Sequence, residues 1–244
     1  MPYLSRIWIN PLRQQSQRLL SQPQAMHAAV LGGIPTQPVD ERVLWRLDTD
    51  EPRRPGLLVL TRSRPSWEHL VEQASWPSAE EPQAETRDYA PLLEQVTPDV
   101  TFAFRLTANP VQSSKRPVKP TRAQAEAAHR APRTSHRLGH RTVEHQMAWL
   151  LARAQSWGVR FPTSSAAAED DDPPADVRIN ARSRRSFQRG AKDSRVVLQM
   201  VTYEGHLVVE DCERLRHLLV SGIGRAKAYG CGLLTLAPSS RSRW

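Results

Sequence analysis

His27 is the residue of this 244-residue chain best suited to acid–base work. Imidazole titrates near neutrality, so it can take a proton from one oxygen or give one to another. It sits in Pro23-Gln24-Ala25-Met26-His27, the early turns of a short helix. By position alone such a histidine is more often a surface or satisfied residue. A second feature is Gly222-Ile223-Gly224-Arg225-Ala226-Lys227-Ala228-Tyr229-Gly230-Cys231-Gly232-Leu233-Leu234. Glycines let a backbone approach phosphate closely, and N–H groups at a helix start bind anions. It is not a dinucleotide fingerprint, because Lys227 stands where the third glycine belongs, and no Gly-Lys-[Ser/Thr] follows to make a P-loop. The glycines by themselves fit a tight helix-to-strand connection slightly better than a phosphate site. Arg225 and Lys227 beside them turn the reading toward an RNA backbone. The third feature is a basic run holding Arg182, Arg184, Arg185, Phe187, Arg189 and Lys192. A solvated hairpin tip is the commoner explanation of such a run. The other is guanidinium readout of guanine edges where the deep groove of an RNA stem opens at its end. Phe187 either stacks on a base or packs on its own sheet.

These groups need a scaffold. Tyr3 to Ile9 reads as a strand, and Ser21 and Gln24 read as a capping box opening the His27 helix, which Gly32-Gly33 stops. Val43–Leu47 and Leu57–Leu60 form two more strands, a second helix starts at Ser66, and Val100–Leu106 is a fourth strand. That order, β-α-β-β-α-β, is the ferredoxin-like pattern. Residues 111–140 read as a basic linker in which Lys115, Arg116, Lys119 and Arg122 either follow phosphates or are disordered. Arg141 to Trp157 has helical periodicity, with Val143, Met147, Leu150 and Leu151 on one side. Ala166–Asp176 is an acidic loop of mobile composition. Val177–Ile179 and Val196–Tyr203 flank the basic run, Glu204-Gly205 marks a turn before the strand Leu207–Val209, Cys212–Val220 is a helix, and Leu233–Leu236 a last strand. The expectation is an α+β protein with two tandem ferredoxin-like domains, 1–110 and 141–244, joined by the linker.

The formal net charge of +9 and a pI near 10.3 suit a polyanion, either nucleic acid or an anionic membrane surface. No apolar run approaches the ~18 residues of a membrane span, and the N-terminus lacks the marks of a signal peptide. A cytoplasmic protein is expected. Cys212 and Cys231, too few for a disulfide framework, read as buried apolar residues. His129, His136, His140 and His145 lack Cys or carboxylate partners at ligand spacing, so no metal and no cofactor is assigned.

The run from Gly222 to Pro238 resembles the C-terminal glycine-rich motif of the repeat-associated RNA-binding superfamily, and specifically of the CasE family. The resemblance extends to Tyr3-Leu4-Ser5, Asn10-Pro11, Met26-His27, Leu44-Trp45-Arg46-Leu47, Phe104 to Pro110, the helix holding Glu144, Gln146, Ala148, Trp149 and Leu150, and Glu204-Gly205. It covers nearly the whole chain in order. It implies two ferredoxin-like domains and a metal-independent endoribonuclease. The expected substrate is precursor CRISPR RNA, cut at the base of the repeat hairpin and kept as mature guide RNA with other Cascade subunits. The free chain would be a monomer. His27 matches the family's catalytic histidine, as general base toward the ribose 2′-OH or general acid toward the leaving 5′-oxygen. The products would be a 2′,3′-cyclic phosphate and a 5′-hydroxyl.

The chain departs from the family's best-known pattern at two positions. Gln24 stands where those members carry a tyrosine, and Gly32 where some carry a lysine. Glutamine can donate a hydrogen bond to phosphate but does not exchange a proton near neutrality. Gln24, Arg46, Gly222, Gly224, Arg225 and Lys227 are therefore the candidates for RNA binding or transition-state support. Arg182, Arg184, Arg185, Arg189 and Lys192 are those for the hairpin. The alternatives are a scaffold subunit that binds the same RNA without cutting it, and an unrelated basic module for DNA or ribosomal RNA.

Overall fold

The computed structural model describes residues 1–114, 136–163, 174–188 and 195–239. The first unit runs β1 (Tyr3–Trp8), α1 (Gln14–Ser21), α2 (Pro23–Leu31), β2 (Leu44–Asp48), β3 (Gly56–Thr61), α3 (Glu68–Ala74), β4 (Ala84–Asp88) and α4 (Ala90–Gln95). Its sheet has the order β2-β3-β1-β4 with antiparallel neighbours, the ferredoxin-like arrangement. The expected capping box is absent. Ser21 ends α1 and donates to the Arg18 carbonyl, and α2 opens instead on Pro23 after an extended Gln22. Proline at the first helical position needs no N–H partner, so it starts the helix without a side-chain cap.

The second unit begins with β5 (Thr101–Ala108), followed by a ribbon of β6 (Val111–Ser114) and β7 (His136–Gly139). Then come α5 (Val143–Leu151), α6 (Ala154–Trp157), β8 (Val159–Arg160), β9 (Val177–Gln188), β10 (Arg195–Val209), α7 (Cys212–Ser221) and β11 (Leu234–Pro238). The second sheet runs β11-β5-β10, with both β8 and β9 on the far edge of β10. The fold is α+β with two tandem ferredoxin-like units, as expected, but the strand read as closing the first unit opens the second. β5 pairs with β10 and β11, and the first sheet is closed by β4, Ala-Glu-Thr-Arg-Asp. That strand carries no apolar pattern, so periodicity could not flag it. A division at residue 110 therefore cuts off a strand of the second sheet.

Glu204-Gly205 is not a turn, since β10 runs through it. A Cβ on Gly205 would lie 2.1 Å from the Asp176 carbonyl oxygen, so glycine is there to let the start of β9 approach. In α5 the buried residues are Gln146, Trp149 and Leu150, whereas Val143 and Leu151 are exposed. The linker and the acidic loop lie largely outside the described residues.

All six residues of β3 are buried. Leu57 and Val59 face the cluster under the helices with Ile7, Met26, Val30 and Trp67. Leu58 and Leu60 face a second cluster shared with Phe104, Leu106 and Leu234 of the other sheet. A strand covered on both faces reads as a continuous apolar run. The consequence is that β2 and β3 lock the two sheets together and hold α2 at a fixed place beside the second unit.

Candidate active site and nucleic-acid interface

α2 packs against a single 3₁₀ turn, Lys227–Tyr229, and that turn packs against β2. Gly230 ends the turn with φ +83°, and a Cβ there would sit 2.7 Å from the Trp45 ring. Both the left-handed backbone and the close ring demand glycine. The loop is tied to the second sheet by the Gly232 N–H donating to the Thr107 carbonyl at 2.7 Å. The bland reading of the glycines, a tight helix-to-strand connection, is therefore correct for the backbone. Gly222 is buried against Leu44 at the end of α7, while Gly224 and Arg225 are exposed.

His27 lies half-buried on α2. Its Nδ1 is buried with no hydrogen-bond partner among the described residues. Burial lowers its pKa below 6.5, because a low-dielectric surround penalises the imidazolium. The shift favours the neutral ring, the form with a lone pair that can accept a proton. Gln24 lies three residues earlier on the same helix, which places it beside His27 on one face.

Lys227 donates from Nζ to the Ser221 carbonyl at 2.8 Å, at the C-terminus of α7. Burial lowers its pKa, and the positive charge of nearby Arg42 lowers it further. Arg46 corrects the sequence reading. Its side chain is 2% exposed and its donors are committed. Nε and a terminal nitrogen hold Asp48 at 2.7 and 2.9 Å, and the other terminal nitrogen reaches the Arg105 and Leu233 carbonyls and the Thr235 hydroxyl. Arg46 stitches the two sheets together and is not presented to RNA.

The basic strand is also sorted by the structure. Alternate residues of a strand face opposite sides. Ala181, Ser183 and Arg185 line a cavity of about 180 Å³ with Pro23, Met26, Trp45, Thr107 and Tyr229. Phe187, in the same alternation, meets Tyr229 edge to face with centroids 4.9 Å apart. Phe187 therefore packs within the protein. Arg182 and Arg184 point to the other face, where Arg182 donates to the Arg141 carbonyl. The five cations thus do not form one set, and Arg185 is the described one on the side of α2. Arg189 and Lys192 lie outside the described residues, as do Lys115, Arg116, Lys119, Arg122 and His129. Among the described residues no His, Cys, Asp and Glu group has the make-up of a metal site.

The contacts of Tyr229 and Trp45 in the site are not legible in the sequence, and neither is the place of Arg42 beside it. Tyr229 stands inside the glycine motif, whose pattern marks glycines and cations and says nothing of a ring. Trp45 sat in a strand, with nothing to say which ring faced the loop. Arg42 precedes that strand and carries no motif.

The CRISPR associated protein family matches residues 2–238. The CRISPR-associated endoribonuclease Cse3 of Thermus thermophilus is 29% identical over 247 residues, covering 97% of this chain and 100% of that protein. The CRISPR system Cascade subunit CasE of Escherichia coli is 30% identical over 144 residues, 59% of this chain and 61% of the relative. Thermus thermophilus Cse3 bound to an RNA representing a pre-cleavage complex superposes with a TM-score of 0.71 at 27% identity, covering 97% and 99% of the two chains. The chain belongs to the CRISPR associated protein family, with Cse3 and CasE among its relatives.

Proposed function

We propose that this protein is an endoribonuclease that cleaves precursor CRISPR RNA at the base of the repeat hairpin and stays on the mature guide RNA within a Cascade complex. The observation that carries the reading is a half-buried His27, its Nδ1 without a hydrogen-bond partner among the described residues, on the helix that packs against the Lys227–Tyr229 turn. RNA brings its own nucleophile, so neither a metal nor a covalent side chain is needed for the step. His27 takes the proton of the ribose 2′-OH, the 2′-oxygen attacks phosphorus, and the bond to the 5′-oxygen breaks. The 5′-oxygen takes a proton from solvent water as it leaves as a hydroxyl, the proton on His27 returns to solvent, and a 2′,3′-cyclic phosphate remains. Arg225, Lys227 and Gln24 supply charge and hydrogen bonds to the phosphate. The activity belongs to the name of the Thermus relative, and Cascade membership to that of the Escherichia coli one. A high pI suits the same polyanion.

We place the domain division between the two sheets, near residues 96–100, and the protein in the cytoplasm as a monomer when free. No described helix is long and apolar enough to cross a membrane.

One observation favours a second reading, the RNA-binding scaffold without cleavage. Arg46 is buried and Lys227 holds a helix carbonyl, so two cations expected at the phosphate have other partners. Incubating the protein with repeat hairpin RNA in EDTA separates the two. Cleavage at the stem base, lost in His27→Ala with binding intact, supports the nuclease. Intact RNA with the unaltered protein supports the scaffold.

A further inference from the structure

The glycine-rich turn meets the basic strand through Tyr229 and Phe187, and through Lys227 it reaches Ser221, on the wall of a pocket of about 490 Å³ between the two units. Arg42 and Arg62 stand on the wall given by the first sheet, and His217 and Ser221 on the wall given by α7. Arg42, Arg62 and His217 are all exposed, and no ion pair engages them among the described residues. Glu41, the nearby carboxylate, accepts from the backbone N–H groups of Arg62 and Ser63 and so is committed elsewhere. The pocket adjoins the site already described. Lys227 ends on the carbonyl of Ser221, a wall residue, and its ammonium feels the charge of Arg42. A row of cations thus passes from the turn beside α2 into the pocket.

We propose that this pocket binds the backbone of the single-stranded RNA immediately downstream of the scissile phosphate. The proposal rests on the RNA-cleaving reading of the His27 site. α2 carries His27 and packs on the Lys227–Tyr229 turn, and Lys227 reaches Ser221 of the pocket wall, so a strand that leaves the cut site along that turn arrives at the pocket. Unpaired guanidinium groups attract successive phosphates and release the counterions around them. Phosphate contacts from the two guanidinium groups would hold the segment by its backbone, and the floor beneath them, Leu60 and Val220, is apolar. Cleavage severs that segment from the stem, so the pocket gives up its ligand while the hairpin stays bound.

The test uses the full chain and a hairpin with a 2′-deoxy sugar at the scissile position, which cannot be cut. Binding is measured for that hairpin with no flank, with a short 3′ single-stranded flank and with a 5′ flank, for the unaltered protein and for Arg42→Ala/Arg62→Ala. The 3′ flank should tighten binding severalfold in the unaltered protein. The double variant should lose that gain, with a salt slope for the 3′-flanked RNA smaller by about 1.4, while the flankless hairpin binds as before. Equal binding of flanked and flankless RNA by the unaltered protein would overturn the proposal. So would a gain carried by the 5′ flank, a gain kept by the variant, or a loss equal on all three RNAs. The nuclease reading is checked separately with ribose at the cut site: absence of cleavage there would sink that reading and leave the binding comparison standing.

Discussion

Phe187 of the basic strand and Tyr229 of the glycine-rich turn meet edge to face, 4.9 Å between centroids and 60° between planes. The pair joins the element that carries Arg185 to the element that packs on the His27 helix. Two regions 42 positions apart in sequence are thereby fixed as one surface. An aromatic contact of this geometry contributes about 0.5–1.5 kcal/mol beyond the area that it buries.

That contact predicts an uncoupling. Tyr229→Ala should cost about 1–2 kcal/mol of stability and slow hairpin cleavage, because β9 loses its anchor to the turn. Tyr229→Phe keeps the ring and should restore both. Thermal melts and single-turnover cleavage on the two variants check this. A folded Tyr229→Phe protein that binds hairpin but does not cut it would instead put the hydroxyl in the chemistry.

The lowered pKa of His27 sets a pH dependence. A general base must be neutral to accept the 2′-OH proton, so the single-turnover rate should rise with pH through a midpoint below 6.5 and level off near neutrality. A histidine acting as general acid would give a rate that falls across the same range. Stability carries the matching sign. The folded pKa lies below the unfolded one, so the unfolded chain binds more protons and stability is lost as pH drops below 6.5. Burial also lowers the pKa of His140, so the comparison is made between unaltered protein and His27→Gln, which should lose part of the acid sensitivity.

The sequence reading succeeded where residues were fixed by local pattern and failed where the signal was tertiary. His27 on a short helix and the strands around it follow from turn residues and alternation. β4 was invisible because Ala84–Asp88 is polar and mostly exposed at the sheet edge, which stranded β5 in the wrong unit. Arg46 looked like a surface cation because nothing in Leu-Trp-Arg-Leu shows that the neighbouring sheet offers carbonyls to it. Arg182, Arg184 and Arg185 looked like one patch because a charge run hides the period-2 alternation that splits it.

Arg46 therefore predicts a stability effect rather than a binding one. Arg46→Met removes the charge paired with Asp48 and the guanidinium donor to the Leu233 carbonyl, and leaves the Arg105 carbonyl only the longer bond from the Thr235 hydroxyl. Asp48 is partly exposed and keeps Arg105 at 3.6 Å, so the loss comes mainly from the buried hydrogen bonds to the second sheet, about 1–3 kcal/mol. A drop in the unfolding midpoint is expected. Hairpin affinity should be close to normal for the fraction that remains folded at low temperature.

Arg185 and Arg184 should separate in the binding assay. Arg185 shares the cavity with Pro23, Met26 and Tyr229, on the side of the His27 helix, whereas Arg184 pairs with Gln199 and points to the opposite face. If Arg185 reads a base edge of the closing stem pair, Arg185→Ala should weaken the repeat hairpin by about 1–3 kcal/mol and have less effect on a hairpin with that pair changed. Arg184→Ala should cost less than Arg185→Ala on the repeat hairpin, because its side chain starts from the face turned away from α2. Any loss that it does cause should be shared by unrelated hairpins, as expected for phosphate attraction alone. Titrations of both variants against the repeat hairpin and a closing-pair variant decide the matter. Equal losses for the two arginines on every RNA would mean that the stem lies across the strand edge rather than on the α2 side of β9.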